Sequence, residues 1–111
     1  MLTDSDPRVL KLLQRNAWQC EQAHASGGKI HVLPLEWGSK TQLESVLENA
    51  PGGFEVVLIS DCNYDVKTIS KLWKSARALI NPETGKLYCV HESRSKRIDE
   101  VYLHDLAALN S

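Results

Sequence analysis

The side chains best suited to chemistry stand just after short apolar runs. Asp4 follows Met1, Leu2 and Thr3; Glu36, Trp37 and Gly38 follow residues 30–35; Asp61, Cys62, Asn63 and Tyr64 follow residues 54–60. A carboxylate such as Asp4 can accept both hydroxyl protons of a ribose but would repel a phosphate. On position alone it reads more readily as a solvent-exposed turn or cap aspartate. The flat indole of Trp37 can stack on a purine or pack over the rim of a cleft. Gly38 beside it permits a positive φ or a close backbone approach. Asp61 and Tyr64 bring a carboxylate and a phenol together, groups that can hold an amine by charge and hydrogen bonding. They read as readily as an ordinary loop with helix-capping groups.

Other chemistries find less support. Cys62 has no histidine close in sequence and no triad signature around it, which argues against a cysteine nucleophile. His24, His31, His91 and His104 show no metal-ligand spacing. Neither phosphate-cradling glycine motif occurs, and the basic stretch Arg94, Ser95, Lys96, Arg97 is too short for a nucleic-acid surface. A receiver-like phosphoacceptor domain would use Asp4, Asp6 and Asp61 as its acids. It also needs a lysine at the end of a late strand, where this chain has His91, Glu92 and Ser93.

The elements that must position these residues alternate. Residues 1–3 end a strand, and Asp6-Pro7 starts a helix, the aspartate accepting an orphan N–H and the proline fitting the first turn. Val9, Leu10, Leu13, Ala17 and Cys20 recur at helical spacing up to Gly27-Gly28. Residues 30–35 form a strand whose Pro34 must lie at its end or on an unpaired side. Ser39 and Gln42 form a capping box for a helix bearing Leu43, Val46, Leu47 and Ala50. Residues 54–60, apolar without alternation, suit a central strand covered on both faces. A helix with Ile69, Leu72, Trp73, Ala76, Leu79 and Ile80 on one face follows, then a strand over residues 87–91. Ser95 caps a last helix carrying Ile98, Val101, Tyr102, Leu106 and Leu109. Trp18 and Trp73, on helical faces, are expected to pack between helix and sheet.

This order predicts an α/β fold: a mostly parallel sheet with helices on both faces, in a single domain over residues 1–111. Ligands of such sheets bind beyond the carboxyl ends of strands, where Asp4, Trp37, Gly38, Asp61 and Tyr64 all fall. Composition narrows the partners. A net charge of −1 provides no field for nucleic acid or an anionic membrane. No apolar run approaches the roughly 18 residues of a spanning helix. Three dispersed cysteines fit a reducing compartment, and the expected location is cytoplasmic, the nucleus being the alternative.

In order and spacing these segments resemble the later part of the seven-strand S-adenosylmethionine-dependent methyltransferases, and most of all the protein-lysine methyltransferase-like group (methyltransferase 16). The carrying pieces are Thr3-Asp4 with residues 9–16, Leu35-Glu36-Trp37-Gly38, residues 54–61, and Tyr64. The resemblance covers roughly residues 2–109 and implies a partial Rossmann-like sheet. It implies that Asp4 binds the ribose of S-adenosylmethionine and that Trp37, with Gly38 beside it, lies at the adenine. Asp61 and Tyr64 would stand near the methyl donor and the substrate amine, Asp61 contributing to both cofactor binding and catalysis. The acceptor implied is a protein lysine, with no metal required. Two flanks depart from the family: Ser60 stands where alanine is usual and Asn63 where an aliphatic is common.

The family also has a first strand and a glycine-rich loop ahead of the position of Asp4, and further strands after the last helix. Their absence here makes the chain look truncated at both ends. It leaves a strand edge that is expected to pair with a partner chain or a second copy. A second reading is therefore kept: a non-catalytic α/β binding or scaffolding module that pairs through that edge.

Overall fold

A computed structural model of the chain describes residues 1–24, 27–60, 66–90, 92–93 and 95–109. Strand and helix alternate as β1 (Leu2–Asp4), α1 (Pro7–Ala23), β2 (Val32–Pro34), α2 (Lys40–Leu47), β3 (Val56–Ser60), α3 (Val66–Leu79), β4 (Lys86–Val90) and α4 (Lys96–Leu109). The order is the one expected from the sequence, and the class is α/β, consistent with a partial Rossmann-like methyltransferase fold. No helix is long and apolar enough to cross a membrane among the described residues.

Local chemistry sets the element boundaries. Asp6 caps α1 by accepting the Arg8 N–H, with Pro7 in the first turn. Ser95 accepts the Ile98 N–H at the start of α4. Pro34 ends β2. Because the N–H of Leu35 donates to Asp4 on the paired edge, the missing donor of Pro34 falls on the unpaired one. The capping box of α2 is only half formed. Ser39 Oγ accepts the Gln42 N–H, but Gln42 Oε1 accepts from Glu36, not from Ser39. The Ser39 N–H donates to the Glu36 carbonyl instead, so the cap and the preceding turn share one network.

The strands form two parallel pairs. β1 lies beside β2 with Thr3 opposite Leu33, and β3 lies beside β4 with Leu58 opposite Tyr88. No ladder joins the two pairs among the described residues. α1 packs on β1 and β2, α3 packs on α4, and α2 touches α3. One buried cluster gathers Ile59, Ile69, Leu72, Trp73, Ala76 and Tyr102; the other gathers Leu35, Val46 and Leu79. The ring centroids of Trp73 and Tyr102 lie 4.8 Å apart at 61°, an edge-to-face contact that fastens α4 to α3.

Two expectations need correction. Trp18 does not pack between helix and sheet but is 63 % exposed. The apolar stripe of α1 is wide, and β1 and β2 have three residues each, too short to cover all of it. β3 is not covered on both faces. Ile59 is buried against the helices, whereas Leu58, on the opposite face, is 75 % exposed. Its partner strand repeats the alternation: Tyr88 and Val90 are exposed, Leu87 and Cys89 half-buried. An unbroken apolar run therefore folds with one bare face, because no described element lies over it.

Candidate functional site

The carboxyl ends of β1, β2 and β3 open into one cleft of about 490 Å³. Asp4, Leu35, Trp37, Leu58 and Ser60 are among its walls. Asp4 and Trp37, separated by the whole of α1 and β2, are thus brought together by the parallel pairing of β1 with β2. Gly38 is adjacent to Trp37 but is not among the lining residues. Asp61 and Tyr64 lie outside the described residues, as do Cys62 and His91.

Asp4 is held from both ends. Its Oδ1 accepts the Asp6 N–H at 2.8 Å and its carbonyl accepts the Leu35 N–H at 2.9 Å. The first bond orients the carboxylate, and among the described residues it is the one bond shown to its side chain. The second ties the end of β1 to the segment that runs into Trp37. Asp6 belongs to the helix cap. Arg8 reaches it through its backbone N–H at 2.8 Å and its guanidinium at 3.0 Å. The guanidinium hydrogen bond, with the backbone bond next, holds the Asp6 carboxyl below its ordinary range.

The turn carrying Trp37 is fixed on both sides. Glu36 N–H donates to Gln42 Oε1 at 2.6 Å, and Gly38 N–H donates to Ser75 Oγ on α3 at 2.9 Å. Gly38 has φ of +88°, a left-handed conformation that costs any residue with a Cβ. Trp37 is half-buried and packs against both core clusters. Both readings of this tryptophan, as rim packing and as a stacking surface, meet in that placement: one part of the side chain belongs to the core while the residue still lines the cleft.

Ser75 escaped the sequence reading. It is fully buried beside Leu72, Ala76 and Leu79 on the apolar side of α3. The available signal was a hydroxyl among helical core positions, since a buried hydroxyl needs a partner. The partner itself, 37 residues away, has no local signature.

The site's chemistry suits a nucleoside better than a phosphate. An acceptor carboxylate, an aromatic side chain and an apolar wall converge, and no lysine or arginine lines the cleft among the described residues. A carboxylate beside an indole can meet a hydroxylated sugar by hydrogen bonding and a flat base by contact.

The model of the lysine methyltransferase family (methyltransferase 16) matches residues 1–108, and the chain belongs to that family. No curated protein and no solved structure matches it.

Proposed function

We propose, from this family membership and the cleft geometry, that the chain provides the ribose and adenine half of an S-adenosylmethionine site in a protein-lysine methyltransferase. The observation that carries the reading is the convergence of Asp4 and Trp37 on one cleft at the strand ends. Asp4, oriented by the Asp6 N–H, accepts the ribose hydroxyls. Trp37, its turn anchored by Gln42 and Ser75, bounds the adenine. When bound, the cofactor supplies a methyl group on a sulfonium, ready for in-line displacement by an amine. The protein's contribution to such a reaction is positioning and electrostatics. The family resemblance assigns Asp61 and Tyr64 to the acceptor amine, with Asp61 orienting polar groups and Tyr64 shaping the pocket.

The test is calorimetric titration of the full chain with S-adenosylmethionine. Loss of a hydrogen bond to a charged group is worth about 1.5–3 kcal/mol, so Asp4→Ala should weaken binding by about 10-fold to 100-fold. Trp37→Leu should weaken it too. Binding unchanged in Asp4→Ala, or no binding by folded wild-type protein, would overturn the reading.

A further inference from the structure

The seam between α3 and α4 carries two hollows away from the cleft. On α3, Ser70, Trp73, Lys74 and Arg77 recur at three- and four-residue spacing and share one strip of the helix. With Asp105 and Ala108 of α4 they line a hollow of about 230 Å³. Beyond it lies a larger hollow of about 360 Å³, where Ile80, Pro82, Leu87 and Leu106 supply apolar walls. Arg77 lines both and stands between them, so the pair forms one trough along the seam.

The trough lies at the other end of the strands from the cleft. Ile80, just past α3, bridges Phe54 ahead of β3, and Gly85, just ahead of β4, lines the larger hollow. The trough therefore reaches the amino ends of β3 and β4, whereas the cleft of Asp4 and Trp37 opens at carboxyl ends. The two share no lining residue.

The trough is uneven in charge. Lys74 and Arg77 are exposed, and among the described residues neither side chain has an ion-pair or hydrogen-bond partner. The α4 wall has one carboxylate, Asp105, whose Oδ1 lies 3.3 Å from His104 Nδ1. An incoming carboxylate answers the two cations. A guanidinium meets it through paired N–H bonds, and an ammonium meets it as a point charge.

Shape narrows the occupant further. Hollows of 230 and 360 Å³ lie at the small end of ligand cavities and accept side chains, not a whole helix. From Ser70 to the end of α3 the strip runs about 14 Å, the reach of about four extended residues. A phosphate-rich polymer is a poorer match, because Asp105 stands on the opposite wall and the net charge of the chain is −1.

We infer that this trough docks an extended acidic peptide segment, with an apolar side chain against Leu87 and Leu106 and a carboxylate between Lys74 and Arg77. The inference is independent of the cofactor reading, since no residue of the cleft takes part.

The test uses the full chain and a dye-labelled, end-blocked pentapeptide of alternating leucine and glutamate, read by fluorescence anisotropy. One control replaces glutamate by glutamine, and another replaces leucine by alanine. The parent peptide should bind, and each control should bind about tenfold more weakly or worse. Lys74→Gln combined with Arg77→Gln changes two exposed positions and leaves the core intact. It should weaken the parent peptide by about tenfold and remove most of the salt dependence. Amide shifts in an NMR titration should gather at Lys74, Arg77, Leu87 and Leu106. Equal binding by either control peptide, unchanged binding by the double variant, or no binding at all would overturn the proposal. So would shifts gathered around Leu58 and Tyr88, which would mark apolar adhesion to the bare sheet face. An oligonucleotide that displaced the peptide at equal concentration would assign the cations to nucleic acid and overturn it as well.

Discussion

The hydroxyl of Ser75, fully buried on α3, accepts the backbone N–H of Gly38 at 2.9 Å. This bond joins the turn that carries Trp37 to a helix from the other half of the chain. Ser75→Ala leaves the Gly38 N–H without its partner and should lower stability by about 1–3 kcal/mol. Urea unfolding measures that loss. A stability equal to wild type would show that the turn is held by Gln42 alone.

Trp73 is 3 % exposed, and its Nε1 has no hydrogen-bond partner among the described residues. The ring matters here through volume and its edge-to-face contact with Tyr102. Trp73→Ala should cost about 3–5 kcal/mol through the cavity it leaves. Trp73→Phe keeps an aromatic ring and removes an unsatisfied donor, so its cost should be much smaller, below about 1.5 kcal/mol. Thermal unfolding of the two variants compares them directly; equal losses would point to a hydrogen bond at Nε1.

The Asp6 carboxyl is lowered from its ordinary range, first by the side-chain bond from Arg8 and then by the Arg8 backbone N–H. A carboxylate with a depressed folded-state pKa stabilises the fold above its unfolded pKa. That contribution is lost as pH falls through the folded value. Asp6→Asn keeps the cap but not the charge. Melting temperatures of wild type and Asp6→Asn should therefore differ at about pH 6 and draw together as pH falls through the folded value, with the difference reduced by salt because the pair is exposed.

Cys89 is half-buried, and burial raises its thiol above the ordinary range, against a smaller opposing hydrogen bond with Tyr102. Cys20 is exposed. Iodoacetamide at about pH 8 should modify Cys20 well before Cys89, read by peptide mass spectrometry. Because the folded state holds the Cys89 proton more tightly, its contribution is present below the unfolded pKa of about 8.5 and is lost as pH rises through the raised folded value. Cys89→Ala should flatten that alkaline decline.

Much of the local architecture was legible in the residues. Asp6-Pro7 and Ser95 announced helix starts, the 3.6-residue spacing from Ile69 to Leu79 marked the buried side of α3, and Pro34 marked a strand end with one unpaired side. These signals are local: a cap needs an N–H two or three residues away, and a helical face repeats each turn. Trp37 was also placed correctly at a strand end, although the anchor from Ser75 was not foreseen.

Sequence alone determined the alternation of strands and helices and set Asp4 and Trp37 at strand ends. Tertiary structure decided that β1 pairs with β2, bringing those two residues to one cleft, and that no ladder joins β1 to β3 among the described residues. It also decided that Trp18 and Leu58 are exposed. The physical reason is range. Hydrophobic periodicity states which side of an element seeks cover, but whether cover arrives depends on elements distant in the chain, and an apolar run reads the same with one neighbour or two.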